Sequence, residues 1–317
     1  MTRRRFPPAG GQRGAALLLA MIILTLITTL AAGMVWQQWR AIQVEAAERA
    51  RTQSAWILTG ALDWARLILR EDAKTGGADH LGEPWAVPLA EARLSSFLAA
   101  DKNNNADDGS GPDAFLSGAI ADEQSRYNLL RLRAKEGKPN TEELMVLQRL
   151  CENAGVPAAT AQTIATGLQA AWDGSADAAV QPQSVEQLAW LNVDPSDLKR
   201  LLPFITLLPT ATTVNLNTAP REVLAAVMNL DVGSAERLVQ SRQRDPLKGV
   251  ENAAALLPNG VVPNPAMVGV SSEYFEVQGQ VRLGDRVLQE RSLVHRQGAN
   301  EVTVIRRERV NLHIDGT

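Results

Sequence analysis

From Ala15 to Trp39 the chain carries no charged residue, and no other feature limits its fold as strongly. At ~1.5 Å rise per residue such a run makes a helix of about 37 Å, enough to cross a ~30 Å hydrocarbon layer with some tilt. The run reads as a membrane segment. A secretory signal peptide is the competing reading, because Arg3, Arg4, Arg5 and Arg13 precede the apolar core. Signal peptides, however, have an apolar core of roughly 7 to 15 residues with small-residue cleavage signals after it. Here the core is longer, and the small-residue junction beside the arginines, Gly14-Ala15, comes before it. Cutting there would remove the basic leader and leave the apolar helix as the new N-terminus. The leader arginines are expected to stay cytoplasmic. Beyond Trp39 the charges of Arg40, Glu45, Glu48, Arg49 and Arg51 carry little net bias, which puts the bulk of the chain on the periplasmic or outer side.

This layout resembles the leader of type IV prepilins and type II secretion pseudopilins, which a dedicated membrane peptidase cleaves after a glycine. The resemblance implies cleavage between Gly14 and Ala15; a plain uncleaved anchor is the alternative. The family usually carries a glutamate at the fifth position of the mature chain, whose carboxylate pairs with a neighbouring subunit's amino terminus. Here that position is Leu19. Among pseudopilins this absence marks the K-type minor subunit, placed at the tip.

At 317 residues and 45% apolar content, the chain has room for two modest packed domains after the membrane helix. Its net charge of −3 gives no global attraction for nucleic acid. The scarcity of Tyr and Phe beside abundant Ala and Leu favours helix over sheet for most of the length. A single cysteine, Cys151, excludes an internal disulfide; following Leu150 on the apolar side of a helix, it reads as a small buried hydrophobe rather than a nucleophile. His80, His295 and His313 have no helical i, i+4 partner, so no metal-protease motif exists. With no Gly-x-Ser-x-Gly elbow and no phosphate-binding glycine loop, no catalysis is expected.

Along the chain, residues from Ala15 to about Glu71 contain no proline and only Gly33 and Gly60, which predicts one continuous helix of roughly 85 Å. Its second half is amphipathic, with Trp56, Leu62 and Ile68 joining Ala55, Ala61 and Leu69 on faces that recur every three to four residues. Leu81 to Leu89 is too proline-rich for a helix and is expected to pack extended against this spine. Thr141-Glu142-Glu143-Leu144 starts a helix with Leu144, Leu147 and Leu150 on its apolar face. Gly155-Val156-Pro157 ends it and opens another. A third is expected from Ser184, its hydroxyl capping a first turn with Glu186 and Gln187 and its core side bearing Leu188, Trp190 and Leu191. From Ser272 the texture changes to alternating runs separated by Gly284-Asp285, predicting three antiparallel strands.

Several of these stretches resemble the K-type pseudopilin family of type II secretion systems. They are Glu83-Pro84-Trp85-Ala86-Val87-Pro88-Leu89, the strand and turn from Ala114 to Glu123, Arg126-Tyr127-Asn128-Leu129, Ser184 to Leu188, Leu202 to Pro209, and above all Val214-Asn215-Leu216-Asn217-Thr218-Ala219-Pro220. The resemblance implies an α+β, pilin-like fold: a long N-terminal helix packed on a small antiparallel sheet, with a large all-helical inserted domain. The expected divisions are a leader at 1–14, a transmembrane half-helix at 15–39, and the soluble half-helix with the first pilin-like part at 40–125. The inserted domain follows at 126–270, and strands completing the pilin-like domain at 271–317. The implied role is that of a minor pseudopilin at the tip of the pseudopilus, anchored once in the inner membrane with its bulk periplasmic, and supporting export of folded proteins across the outer membrane. The implied partners are the I-type and J-type minor pseudopilins, the major pseudopilin, the prepilin peptidase and secreted substrates.

Two local patterns point elsewhere. Asp101, Asn103, Asn105 and Asp107 place oxygen-bearing side chains at alternate positions, as a calcium loop does, but Ala106 and Pro112 stand where an EF-hand needs glycine and glutamate; a plain solvated turn uses the same residues. No other cofactor is expected. Residues 214–244 look like a helix-hairpin-helix, which would make the chain a membrane-anchored DNA receptor of the competence type, with Gly233 and Arg237 at the phosphate. Asp231 sets a carboxylate at that approach, and Glu222, Glu236 and Asp245 largely cancel Arg237, Arg242 and Arg244. A nucleic-acid partner is therefore disfavoured.

Overall fold

The computed structural model describes residues 13–95, 114–134, 140–174, 179–258, 261–284 and 286–310. The chain divides into two compact units, Met1–Trp56 and Ile57–Thr317. Helix α1, Arg13–Thr75, runs from one into the other. In the first unit its side chains from Gly14 to Ala46 are exposed, including Leu17, Leu19, Ile22, Leu26 and Leu30. Among the described residues this is the one helix long and apolar enough to cross a membrane.

In the second unit α1 buries Leu58, Leu62, Ala65 and Leu69, spaced four, three and four residues apart, which aligns them along one helix face. Trp56, counted among the recurring apolar positions of this half, is 72% exposed: at ~100° per residue it stands roughly 160° round the helix from Leu58, on the side opposite the buried row. After α1, Gly76 and Gly77 take positive φ (68° and 125°) and turn the chain back. The proline-rich stretch is not fully extended as expected. Pro84 pre-sets a 3-10 turn over Pro84–Ala86, which seats Trp85 in the core at 5.2 Å, edge to face, from Phe275.

Strand β1 (Leu89–Arg93) and β2 (Ala114–Asp122) follow. The chain then enters a helical body: β3 (Tyr127–Asn128), α2 (Thr141–Asn153), α3 (Ala158–Asp173), α4 (Pro195–Leu201), β4 (Ile205–Thr206), β5 (Val214–Asn215), α5 (Arg221–Met228), α6 (Val232–Arg244) and β6 (Val268–Gly269). It closes with β7 (Tyr274–Leu283), β8 (Arg286–Gln297) and β9 (Glu301–Val310). The last three are the predicted antiparallel strands, and with the two early strands they form one sheet in the order β1-β2-β7-β8-β9.

The pairing of β2 with β7 explains the architecture. It runs in register from Ala114↔Leu283 to Asp122↔Phe275, so the chain leaves the sheet at Asp122 and returns beside the same point. Everything between is an insertion at one end of the sheet. The insertion has its own core, from Tyr127 through Leu147, Leu150, Ile164, Leu188 and Leu224 to Val268, whereas α1 packs on Phe275, Val277, Val294 and Val302 of the sheet. Two parallel strand contacts, Tyr127↔Ile205 and Val214↔Val268, tie its distant segments. The segment after Ser184 forms a 3-10 helix, Val185–Leu191, and Ser184 caps no backbone N–H. Its hydroxyl instead faces Glu186 and helps to hold that carboxyl down against burial. Trp190, expected in the core, is half exposed, while Leu188 and Leu191 are buried.

Candidate functional site

The residues singled out at the N-terminus lie in the first turns of α1. Gly14 and Ala15 are exposed and already helical, and Leu19 presents an apolar side chain that is 61% exposed. The face of α1 that surrounds it is apolar as well, with Leu18, Ile22 and Ile23 exposed beside it.

A second site was only half visible in the sequence. At the end of the sheet where the insertion begins, four segments converge on a buried polar cluster. The Asp122 carboxylate, 4% exposed, accepts from the backbone of Gln124 (2.7 Å), Asn215 Nδ2 (3.0 Å), Thr218 Oγ1 (2.5 Å) and Ser272 Oγ (2.7 Å). Burial pushes its pKa up against those donors. Asn215 also donates to the Asp79 carbonyl (3.2 Å), and its own Oδ1 accepts from Asn217 N (2.9 Å). Asn217 in turn holds Leu247 through both backbone groups. The Asn215-Leu216-Asn217-Thr218 motif therefore fastens the insertion to the sheet and to the segment after α1.

Next to it, the Arg296 guanidinium bridges Asp72 (2.7 Å) and Asp79 (2.5 Å), and Ser272 N donates to Asp79 (2.6 Å). Glu83 receives Trp85 Nε1 (2.8 Å) and His80 N (2.9 Å). Asp72, Asp79 and Glu83 bring carboxylate oxygens within 4.8 Å of one another, but Arg296 already stands among them as the cation, and no metal role is assigned. Burial first, then Glu83, raises the Asp72 pKa to about 6. Neither Asp79 nor Arg296 had a sequence signal, since no local pattern marks a pair separated by 217 positions.

The hairpin at 214–244 forms, as α5 and α6 joined by a tight turn with Asn229 at φ 52°. Asp231 caps α6: its carboxylate accepts from Ser234 N (2.9 Å) and Ser234 Oγ (2.5 Å), and those bonds hold its pKa down. The backbone donor a phosphate would need is thus taken by a carboxylate, with Gly233 immediately behind it. Arg237 donates to Ser234 (2.7 Å), Arg221 pairs with Glu222 (2.9 Å) and Glu236 (3.3 Å), and Arg242 is buried on the Leu216 carbonyl, its pKa lowered to about 10 by burial. Of the three arginines expected to favour DNA, Arg237 and Arg242 thus serve the fold, while Arg244 is exposed. The calcium-type residues Asp101, Asn103, Asn105 and Asp107 lie outside the described residues. Cys151 is buried with its thiol pushed up to about 12.

Comparison with known proteins agrees with this geometry. Family models described as Type II secretion system (T2SS), protein K match residues 125–210 and 214–271, the insertion and its fastening motif. A type II secretion system protein K of Pseudomonas aeruginosa is 29% identical over 87% of this chain and 86% of its own. The protein of the same name from Pectobacterium carotovorum is 27% identical, covering 94% and 96%. Among solved structures, the crystal structure of the GspK-GspI-GspJ complex from enterotoxigenic Escherichia coli contains a chain with the same fold, at TM-score 0.65 and 18% identity over 84% of this chain and 98% of that one.

Proposed function

This chain belongs to the type II secretion system protein K family, a minor pseudopilin, and from that premise we propose that it sits at the tip of the pseudopilus, where it initiates or caps assembly. The observation that carries the reading is the insertion between β2 and β7, fastened by Asp122, Asn215 and Arg296 beside the C-terminal end of α1. In a filament built by helices packing side by side, a body of that size at the far end of the soluble helix obstructs any subunit stacked above it. Leu19 supports the same placement, because it offers no carboxylate to the amine of a subunit above. The partners would be the I-type and J-type minor pseudopilins, with the major pseudopilin below and secreted substrates above.

The family is a structural component of secretion, and the role proposed is assembly rather than catalysis. The prepilin peptidase would cut after Gly14, leaving α1 in the inner membrane and the second unit in the periplasm. Calcium at Asp101, Asn103, Asn105 and Asp107 is retained as a proposal only. The DNA-receptor reading is not retained, given the Asp231 cap.

The test is affinity capture of the full chain from membranes of a strain holding the prepilin peptidase and the other pseudopilins. Intact mass should begin at Ala15, and the I-type and J-type subunits should be recovered in equal amounts with it. An intact Met1 or Thr2 would sink the leader reading; capture of several copies of this chain per complex would sink the tip.

A further inference from the structure

The charges around Arg296 do not balance. Its guanidinium contacts Asp72 and Asp79 at 2.7 and 2.5 Å, while Glu83 lies within 4.8 Å of both; the Ser272 carbonyl accepts from Arg296 at 2.7 Å, and the hydroxyl of the same residue donates to Asp122 at 2.7 Å. Nearby charges are already engaged: Lys74 holds Glu71 at 2.7 Å and His295 faces Glu273 at 3.7 Å. His80 Nδ1 accepts from Gly82 N. Among the described residues, Arg296 is thus the one cation in contact with this group of carboxylates. Asp72 also stands in the last turn of α1, where the helix dipole disfavours a negative charge.

We propose that the Asp72–Asp79–Glu83–Arg296 cluster is a proton-operated latch. Uptake of one proton by Asp72 tightens the grip of the last turn of α1 on the sheet end and, through Asp79 and Ser272, on the base of the insertion. Loss of that proton loosens it. The sign follows from a carboxyl whose pKa is raised to about 6 in the closed cluster from an ordinary value of 3.8. The stabilisation is fully present below the ordinary value and is lost as pH rises through about 6.

The experiment is hydrogen–deuterium exchange of the full chain in detergent micelles at pH 5 and pH 7.5, with rates corrected for the chemical pH dependence. Peptides covering 70–85 and 268–274 report the latch, and a peptide covering 143–153 in the insertion core is the control. Protection of the latch peptides should rise at pH 5 by up to about tenfold over pH 7.5, with the control unchanged. Asp72→Asn should show equal protection at both pH values. Glu83→Gln keeps the titrating carboxyl but removes a neighbouring charge, and should move the transition to lower pH. Equal protection of the unaltered chain at the two pH values overturns the latch. So does any pH response of these peptides that survives Asp72→Asn, whether it stems from Asp122, whose pKa burial also raises, or disappears in His80→Gln or His295→Gln.

Discussion

Cys151 lies among Leu147, Leu150 and Ile164 with no exposed surface, and burial lifts its thiol to about 12, far from the thiolate that reacts. The native chain should therefore label with a thiol reagent at neutral pH at least about a hundredfold more slowly than the unfolded chain. Labelling at the rate of a free thiol would show that α2 opens readily. The sequence reading reached this residue correctly because helical spacing places 147, 150 and 151 on one face. It failed for Ser184, whose hydroxyl was expected at a helix start and instead meets Glu186. Capping depends on backbone angles, and a serine before an apolar run does not set them.

Among the elements, α1 shows how periodicity and packing divide the information. The four-three-four spacing of Leu58, Leu62, Ala65 and Leu69 marks the buried face before any partner is known. The partners are set elsewhere: Gly279 lets Leu58 approach, since a Cβ there would stand 3.0 Å from its Cδ2, and Gly118 lies where a Cβ would stand 2.6 Å from the Gln278 carbonyl. Leu69, with no exposed surface, should cost about 2–5 kcal/mol when cut to alanine, read as a lowered thermal unfolding midpoint of the full chain in detergent. Trp64→Ala, on a side chain 42% exposed, should cost less than half as much despite removing more atoms. Equal losses would mean that the exposed side of this helix is packed as tightly as the buried one. The hairpin α5–α6 carries a related lesson. Its turn was legible as a fold, yet its chemistry was decided by one residue, Asp231, which fills the helix start that a phosphate would otherwise occupy.

In the whole molecule, the insertion and the sheet have separate cores, and they are joined by a small cluster, Leu208 with Tyr274 and Leu293, and by the polar junction around Asp122. Removing a buried carboxylate leaves Gln124 N, Thr218 Oγ1 and Ser272 Oγ without that acceptor, while Asn215 keeps the Asp79 carbonyl, so Asp122→Ala should destabilise the chain by about 3 kcal/mol. Thr218→Val, which removes one of those donors, should cost about 1 kcal/mol. Chemical denaturation of the full chain in detergent measures both, and an Asp122→Ala loss no larger than that of Thr218→Val would mean that the junction does not hold the two cores together. By itself the sequence determined the membrane-length helix, the amphipathic spine, the order of helices and closing strands, and the Asn215-Leu216-Asn217-Thr218 motif, because each is written in spacing along neighbouring residues. Only the tertiary structure decided that Asp122 and Phe275 pair across the insertion and that Asp72, Asp79 and Arg296 meet at its base. Those contacts depend on which strands lie side by side, and strand order is fixed by packing over the whole chain, a long-range choice that no local pattern of charge or hydropathy encodes.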